Sequence, residues 1–407
     1  MARYITSRPV ILRGNKNTED VMSNGPTRTS EKSLFQGKMP RILIAVLVAV
    51  VALLALYALS TTAANGDPGE KQAAAENTAG GTEPSIQTLE SENPVIAAAP
   101  ADSPLATYGE LHVEGTALAS ADGTPVQLRG VSTHGLAWFP QYVNSDAFKT
   151  LRDDWNVDCV RLALYTAEYG GYAEGGDQQA LKDLVHAGVD AATDLGLYVI
   201  IDWHVLHDLS PLTYMDQAKA FFAEMSAAYA DHPNVLYEIC NEPNGDTSWA
   251  DVKGYAEQVI PIIRTNAPNA VVIVGTSEWS QRVDSAAADP LTGEVGQNVL
   301  YALHFYAATH REWLQERMVQ ALDAGLPIFI SEFGTPDASG SGANDLAFAN
   351  SWLDLADDHS VSYCIWSLSN KDEAASLLAP SSNAVANWSE GDLSEAGAWY
   401  RNRLRGE

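Results

Sequence analysis

Val235-Leu236-Tyr237-Glu238-Ile239-Cys240-Asn241-Glu242-Pro243 is an apolar, strand-length run that ends in a carboxylate. Pro327-Ile328-Phe329-Ile330-Ser331-Glu332-Phe333-Gly334 repeats the arrangement further along. Short continuous apolar runs are the signature of strands buried on both faces, as strands of parallel sheets are. Working outward from these two, strands are expected at 127–131, 159–164, 198–202, 235–240, 271–275, 300–304, 328–331 and 363–366. Helical periodicity occupies the intervals, at 179–195, 215–230, 252–265, 312–324 and 345–356. Eight strands alternating with helices predict an α/β fold, the (β/α)8 or TIM barrel. A doubly wound open sheet is the alternative, but no Gly-rich fingerprint follows the first strand. Before the barrel, Leu111-His112-Val113 and Val126-Gln127-Leu128 flank Asp122-Gly123 and read as a hairpin.

The chain has 407 residues, 46% of them hydrophobic, enough for one large barrel and additional segments. Its net charge of −28 is unevenly placed. Residues 1–41 carry eight Lys/Arg against three Asp/Glu, a net +5, so the remainder carries −33. An acidic body repels nucleic acid and anionic membrane surfaces and suits a neutral substrate. Cys159, Cys240 and Cys364 lie in or beside apolar runs; an odd count without CxxC spacing predicts buried free thiols, not a disulfide framework or zinc site.

Four segments follow. Residues 1–41 form a basic tail. Residues 42–60 are apolar and uncharged, close to the length that spans a bilayer core of roughly 30 Å. The preceding positive charge places the tail inside and the acidic body outside. If Met39 is the start, the same stretch reads as a cleavable signal peptide ending near Thr61-Thr62-Ala63-Ala64. Either way the body is expected outside the cytoplasm, secreted or held at the membrane by the uncleaved helix. Residues 61–105, rich in Ala, Glu, Ser, Thr, Gly and Pro, are expected as a flexible linker, and 106–407 as the barrel domain.

In a barrel of this class the C-terminal ends of the strands build the active face. Here every strand exit is polar or aromatic: Ser132-Thr133-His134-Gly135 with Trp138; Arg161 and Tyr165; Asp202-Trp203-His204; Asn241-Glu242; Thr276-Ser277-Glu278-Trp279; His304-Phe305-Tyr306; Ser331-Glu332; and Trp366, followed by Lys371-Asp372-Glu373. Two glutamates from different strands on one face are what cleaves a glycosidic bond with retention. Glu242 is assigned as acid/base and must start protonated, which a mostly buried, partly apolar site arranges. Glu332 is assigned as nucleophile, kept ionised by donors such as Arg161 and Tyr306. One such glutamate alone would read as a structural partner of Arg161. Asn241 can meet a sugar 2-hydroxyl, or serve as a turn residue before Pro243. His204 and His304 read as neutral donors or acceptors at exits, with no HxH or HExxH spacing for a metal. Trp138, Trp279 and Trp366 fit platforms for sugar rings, whereas Trp155, Trp203 and Trp352 read as core. Lys371 and Glu373 either reach sugar hydroxyls or form a solvated loop.

These segments resemble glycoside hydrolase family 5, in its bacterial endoglucanase (cellulase) branch, from about 108 to 405. The similarity is carried by Leu128-Arg129-Gly130-Val131-Ser132, His134-Gly135-Leu136, Ile201-Asp202-Trp203-His204, Tyr237-Glu238-Ile239-Cys240-Asn241-Glu242-Pro243-Asn244-Gly245, His304-Phe305-Tyr306 and Ser331-Glu332-Phe333-Gly334. The resemblance implies a retaining endo-β-1,4-glucanase with Glu242 as proton donor and Glu332 as nucleophile. It implies that Arg161, His204, Asn241, His304, Tyr306 and Trp366 surround the cleavage point. It places His134, Trp138, Tyr165, Lys371 and Glu373 on the glycone side and Trp279 on the aglycone side. Phe333 stands where relatives often have Trp, and Cys240 replaces a small residue.

The expected partner is a β-glucan polysaccharide, soluble or amorphous since no carbohydrate-binding module is recognisable, and the expected form is a monomer without catalytic cofactor. No EF-hand-type spacing supports a calcium site. A β-mannanase or mixed-linkage glucanase on the same scaffold is the nearest alternative. A non-catalytic carbohydrate-binding barrel would require loss of one glutamate, and both are present.

Overall fold

The expected strands obey a period of two. On Cys159–Tyr165, Val160, Leu162 and Leu164 face an apolar layer under the helices, whereas Cys159 joins the barrel floor and Ala163 and Tyr165 its mouth. The computed structural model, which describes residues 93–407, builds this alternation into a closed barrel. A small antiparallel sheet precedes it: β1 (His112–Glu114), β2 (Ala117–Ala119) and β3 (Pro125–Val126). The barrel strands are β4 (Arg129–Thr133), β5 (Cys159–Tyr165), β6 (Tyr198–His204), β7 (Val235–Glu238), β8 (Val272–Val274), β9 (Val299–Tyr306), β10 (Ile328–Gly334) and β11 (Ser362–Leu368). Each pairs in parallel with its chain neighbour, and β11 returns to β4. The α/β barrel expectation therefore holds strand by strand.

The helices pack outside. Ser248 and Asp251 form a reciprocal capping box that starts Trp249–Asn266. Trp155, Trp203 and Trp352 are fully buried, as expected of core residues. Phe305 stacks between Trp352, at 4.2 Å, and Phe333, at 5.1 Å, so Phe333 is a packing residue of the layer between strands and helices. All three cysteines are free and buried.

Two expectations are corrected. The hairpin before the barrel is three-stranded, because Ala117–Ala119 pairs with both neighbours. Residues 93–105, expected within a flexible linker, carry the helix Pro94–Ala98 and start the helix Pro104–Tyr108. Asn93 and Ser103 cap these turns, and Leu105, fully buried, plugs the floor beside Leu128, Tyr198 and Leu236. Composition rich in Ala and Pro concealed a few apolar anchors that only the barrel floor could recruit. The folded body thus begins by residue 93, not 106. Residues 1–41, 42–60 and 61–92 lie outside the described residues. Among the described residues no helix is long and apolar enough to cross a membrane.

Leu105→Ala should lower unfolding free energy by about 2–4 kcal/mol, measured by urea denaturation, as for a buried core leucine. A linker residue would show no change, and that outcome would return 93–105 to the linker.

Candidate active site

Arg161, at the middle of β5, points into the barrel and is fully buried. A buried cation must be paired, and its guanidinium is engaged on every nitrogen. Nε donates to Glu238 Oε2 at 2.7 Å and Nη2 to Glu238 Oε1 at 3.2 Å. Nη2 also meets Asn241 Oδ1 at 2.6 Å and Asp202 Oδ2 at 3.0 Å. Nη1 donates to Glu332 Oε2 at 3.1 Å and Ser132 Oγ at 3.3 Å. Burial opposes the charge, but the three carboxylates outweigh it and raise Arg161 well above its usual range. Burial also acts on Glu238, yet Arg161, with hydrogen bonds from the site, holds it down at about 2. At Asp202 burial dominates and pushes the carboxyl upward against Arg161.

Glu332 reaches this cation through a backbone irregularity. From Phe329 to Glu332 β10 advances three residues while β9 advances two, from Ala302 to His304. The extra residue lets Ser331 and Glu332, adjacent in sequence, both project inward, as a β-bulge does. Tyr306 then donates its hydroxyl to Glu332 Oε1 at 3.0 Å. Burial and the neighbouring Glu332 and Glu242 charges raise Tyr306 well above its usual range, so it remains a donor.

Asn241 is oriented by its partners. Oδ1 accepts from Arg161, so Nδ2 donates to Val205 O at 3.2 Å and to His204 Nε2 at 3.1 Å. His204 Nε2 is therefore an acceptor, and Nδ1 carries the proton that goes to Asp202 Oδ2 at 2.6 Å. Burial and Arg161 lower His204 to about 3, consistent with a neutral ring. Asn241 itself is fully buried with both amide hydrogens taken, so His204, not Asn241, faces the cleft.

The second glutamate is paired with a histidine. Ser331 Oγ donates to Glu238 Oε1 at 2.7 Å and therefore accepts from His304 Nε2 at 2.9 Å. The other ring nitrogen, Nδ1, lies 2.9 Å from Glu242 Oε1, a contact that holds one shared proton. Burial would depress His304, but the nearby Glu238 carboxylate, 3.9 Å away, the hydrogen bond to Glu242 and the Glu332 charge override it, raising it to about 9. Oxygens of Glu242 and Glu332 and a nitrogen of His304 lie within 4.8 Å of one another. These three could hold a cation only against the guanidinium at 3.1 Å from Glu332, and both His304 nitrogens are already engaged. The donor set suits proton transfer between two carboxylates.

Above this machinery an open cleft of about 560 Å³ is lined by His134, Tyr165, His204, Glu242, Trp279, His304, Tyr306, Glu332, Trp366, Lys371 and Glu373. Trp366 stacks on His204 at 5.3 Å as part of the floor. At one end Trp138 stacks on His134 at 5.4 Å and meets Tyr165 edge-on at 5.5 Å. Lys371 and Glu373 pair at 2.6 Å beside His134, so they belong to the cleft rather than to a solvated loop. Burial, then the Lys371 charge, lower His134 to about 3, leaving a neutral ring. At the other end Trp279 is 47% exposed. Glu278, Trp279 and Ser280 adopt φ of 55°, 57° and 54°, a left-handed turn that costs non-glycine residues energy. Trp279 N–H to Pro243 O, at 3.0 Å, and Ser280 Oγ to Asn241 O, at 2.6 Å, tie that turn to the Asn241-Glu242 segment.

Sequence reasoning placed Asp202 and Ser331 at strand exits without a role and missed Glu238 and Ser280 as site residues. The available signal was a charge inside a buried apolar run, as with Glu238. Ser331 was hidden because alternation alone puts it and Glu332 on opposite faces.

A parallel barrel whose active face holds two apposed carboxylates beneath an aromatic-walled cleft defines a glycoside hydrolase. Residues 119–372 match the family model described as cellulase (glycosyl hydrolase family 5). Endoglucanase A of Butyrivibrio fibrisolvens is 45% identical over 306 residues, 74% of this chain and 70% of that protein. Endoglucanase A of Evansella cellulosilytica is 49% identical over 285 residues, 70% of this chain but 57% of that protein. The solved catalytic domain of Thermobifida fusca endoglucanase Cel5A, in complex with cellotetraose, superposes with a TM-score of 0.71 at 39% identity, covering 74% of this chain and 99% of that one. The chain belongs to glycosyl hydrolase family 5, the cellulase family.

The shared proton between His304 and Glu242 sets an alkaline limit. Because His304 is raised to about 9, the pair keeps its proton below that pH and loses it as pH rises through it. The kcat/KM on a polysaccharide, which needs leaving-group protonation, should fall near pH 9. Formation of the glycosyl-enzyme from an aryl glycoside with an activated leaving group should not. A parallel fall for both substrates would remove the proton from this pair.

Proposed function

We propose that the barrel is a retaining endo-β-1,4-glucanase that acts through Glu332 as nucleophile and Glu242 as acid/base. The observation that carries this reading is the spacing of the two carboxylates, oxygens within 4.8 Å of each other, with Glu242 just beyond β7 and Glu332 on β10. Retaining enzymes hold their carboxyls about 5–5.5 Å apart; inverting enzymes leave room for a water at about 6.5–9.5 Å.

Glu332, oriented by Arg161 and Tyr306, attacks the anomeric carbon. Glu242 gives the glycosidic oxygen the proton it shares with His304, and the leaving sugar departs past Trp279. A glycosyl ester on Glu332 remains. Glu242, now a carboxylate, takes a proton from water, whose oxygen attacks the same carbon and frees Glu332. Two displacements restore the starting configuration. Arg161 and Asn241 do not touch sugar in this scheme; they position Glu332 and His204. Trp138 with His134, Tyr165, Lys371 and Glu373 takes the glycone, and Trp366 supports the ring at the cleavage point. The open cleft admits internal bonds of a long chain, which supports endo action. The cellotetraose bound by the Thermobifida fusca relative supports a glucan substrate.

The catalytic body is also proposed to work outside the cytoplasm, anchored by or released from the stretch 42–60. The +5 tail before that stretch and the −33 body after it support this orientation. Protease protection in intact cells, with the body digested and the tail protected, is the expected result for an anchored enzyme.

Glu332→Gln should reduce kcat by at least roughly 10⁴-fold with the fold unchanged by circular dichroism, as loss of a nucleophile does. Near-native turnover would remove the nucleophile assignment. Glu242→Ala should cripple polysaccharide cleavage while sparing glycosylation by aryl substrates with activated leaving groups. The substrate class is tested by viscosity and reducing ends on carboxymethyl-cellulose, mixed-linkage β-glucan and β-mannan. A rapid viscosity fall on carboxymethyl-cellulose with few new ends is expected; activity confined to mannan would replace the glucanase reading.

A further inference from the structure

The catalytic cleft does not use every aromatic on this face. Tyr169 is 91% exposed, the most exposed large hydrophobic side chain among the described residues. A single exposed aromatic is ordinary on a protein surface, so what this ring can do is decided by what lies beside it. It sits at the tip of a tightly folded loop. Gly171 N–H bonds to Glu168 O at 2.6 Å, Tyr172 N–H to Tyr165 O at 2.8 Å, and Gly176 N–H to Gly171 O at 2.9 Å. A Cβ at Gly176 would lie 2.4 Å from the Gly170 carbonyl, so this closure requires glycine there.

The loop is joined to the cleft. The indole Nε1–H of Trp138 donates to the Tyr169 carbonyl at 2.8 Å. Trp138 itself stacks over His134 and Tyr165, which line the cleft. Beside Tyr169 an open groove of about 530 Å³ is lined by Leu136, Ala137 and Pro140 and by Glu174 and Asp177. Glu174 accepts from Tyr214 through Oε1, and Asp177 caps its helix through Oδ1. Each retains a second carboxylate oxygen for a ligand hydroxyl. A flat aromatic face, an apolar wall and a rim of acceptors together match a sugar ring, which is apolar on its faces and hydroxylated at its edge.

We propose that Tyr169 and this groove form an additional sugar-binding site, which holds a β-1,4-glucan chain where it leaves the cleft past Trp138. The site deepens the glucanase reading and rests on it. Trp138, stacked on the cleft residue His134 and hydrogen-bonded to the Tyr169 carbonyl, stands between cleft and groove, which names the occupant as the extension of the substrate chain, not a separate ligand. Its effect depends on chain length: short oligosaccharides fill the cleft alone, and longer ones also reach Tyr169.

The test uses the inactive Glu332→Gln enzyme, titrated calorimetrically with cellotriose and cellohexaose. Tyr169→Ala on that background should weaken cellohexaose roughly three- to tenfold, the worth of one aromatic contact, and leave cellotriose unchanged. Tyr169→Phe should retain the affinity, because the ring and not the hydroxyl makes the platform. Unchanged cellohexaose affinity in Tyr169→Ala, or equal weakening of both lengths, would overturn the proposal. Absence of binding by either oligosaccharide to the parent Glu332→Gln protein would overturn the glucanase reading, and this site with it.

Discussion

A single buried guanidinium organises the active face. Arg161 meets three carboxylates, Asp202, Glu238 and Glu332, from three other strands, and it also fixes the amide of Asn241. A cation so placed costs much desolvation unless every donor is used, and here the geometry uses them all. Burial pushes Asp202 upward, which relieves part of the negative excess around Arg161. Ser331 links this cluster to the second glutamate, since its hydroxyl donates to Glu238 and accepts from His304, which meets Glu242. Nucleophile and acid are therefore not independent parts. They are opposite ends of one network whose centre, Arg161, is fully buried.

That network explains why the two glutamates differ although both stand at strand ends. Glu332 accepts from Arg161 and Tyr306, partners that favour a carboxylate. Glu242 faces only the ring nitrogen of His304, a partner able to give or take a proton. Environment assigns the roles, as it does wherever paired carboxylates perform different tasks. The same logic extends to the walls. The left-handed turn that exposes Trp279 is held by Ser280 against the Asn241 carbonyl, so Trp279 and the segment that carries Glu242 share one support.

Much of this was readable in the order of residues. Apolar runs of strand length, repeated with helices between them, specify a parallel barrel because only strands covered on both faces can be so continuously apolar. Polar residues at the run ends specify the active face, since nothing else explains a polar group at every exit. Glu242 and Glu332 followed from that rule, as did Trp279 and Trp366 on the cleft wall. The anchoring of residues 93–105 did not, because its few apolar side chains acquire meaning only against the barrel floor.

The amino-acid sequence by itself determined the barrel, its catalytic face and the two glutamates, because periodicity and strand termini are local properties of a chain. The sequence already pointed Arg161 at Glu332, and tertiary structure alone brought Asp202 and Glu238 to the same guanidinium. Asp202, Glu238 and Arg161 look like isolated charges in apolar strands, and their pairing depends on strand register around a closed sheet. Ser331 and Glu332 face the same way only because β10 carries one extra residue against β9. Proton positions on His204 and His304 depend in turn on those neighbours. Such contacts join residues far apart in the chain, and their energies depend on distances that no linear pattern encodes.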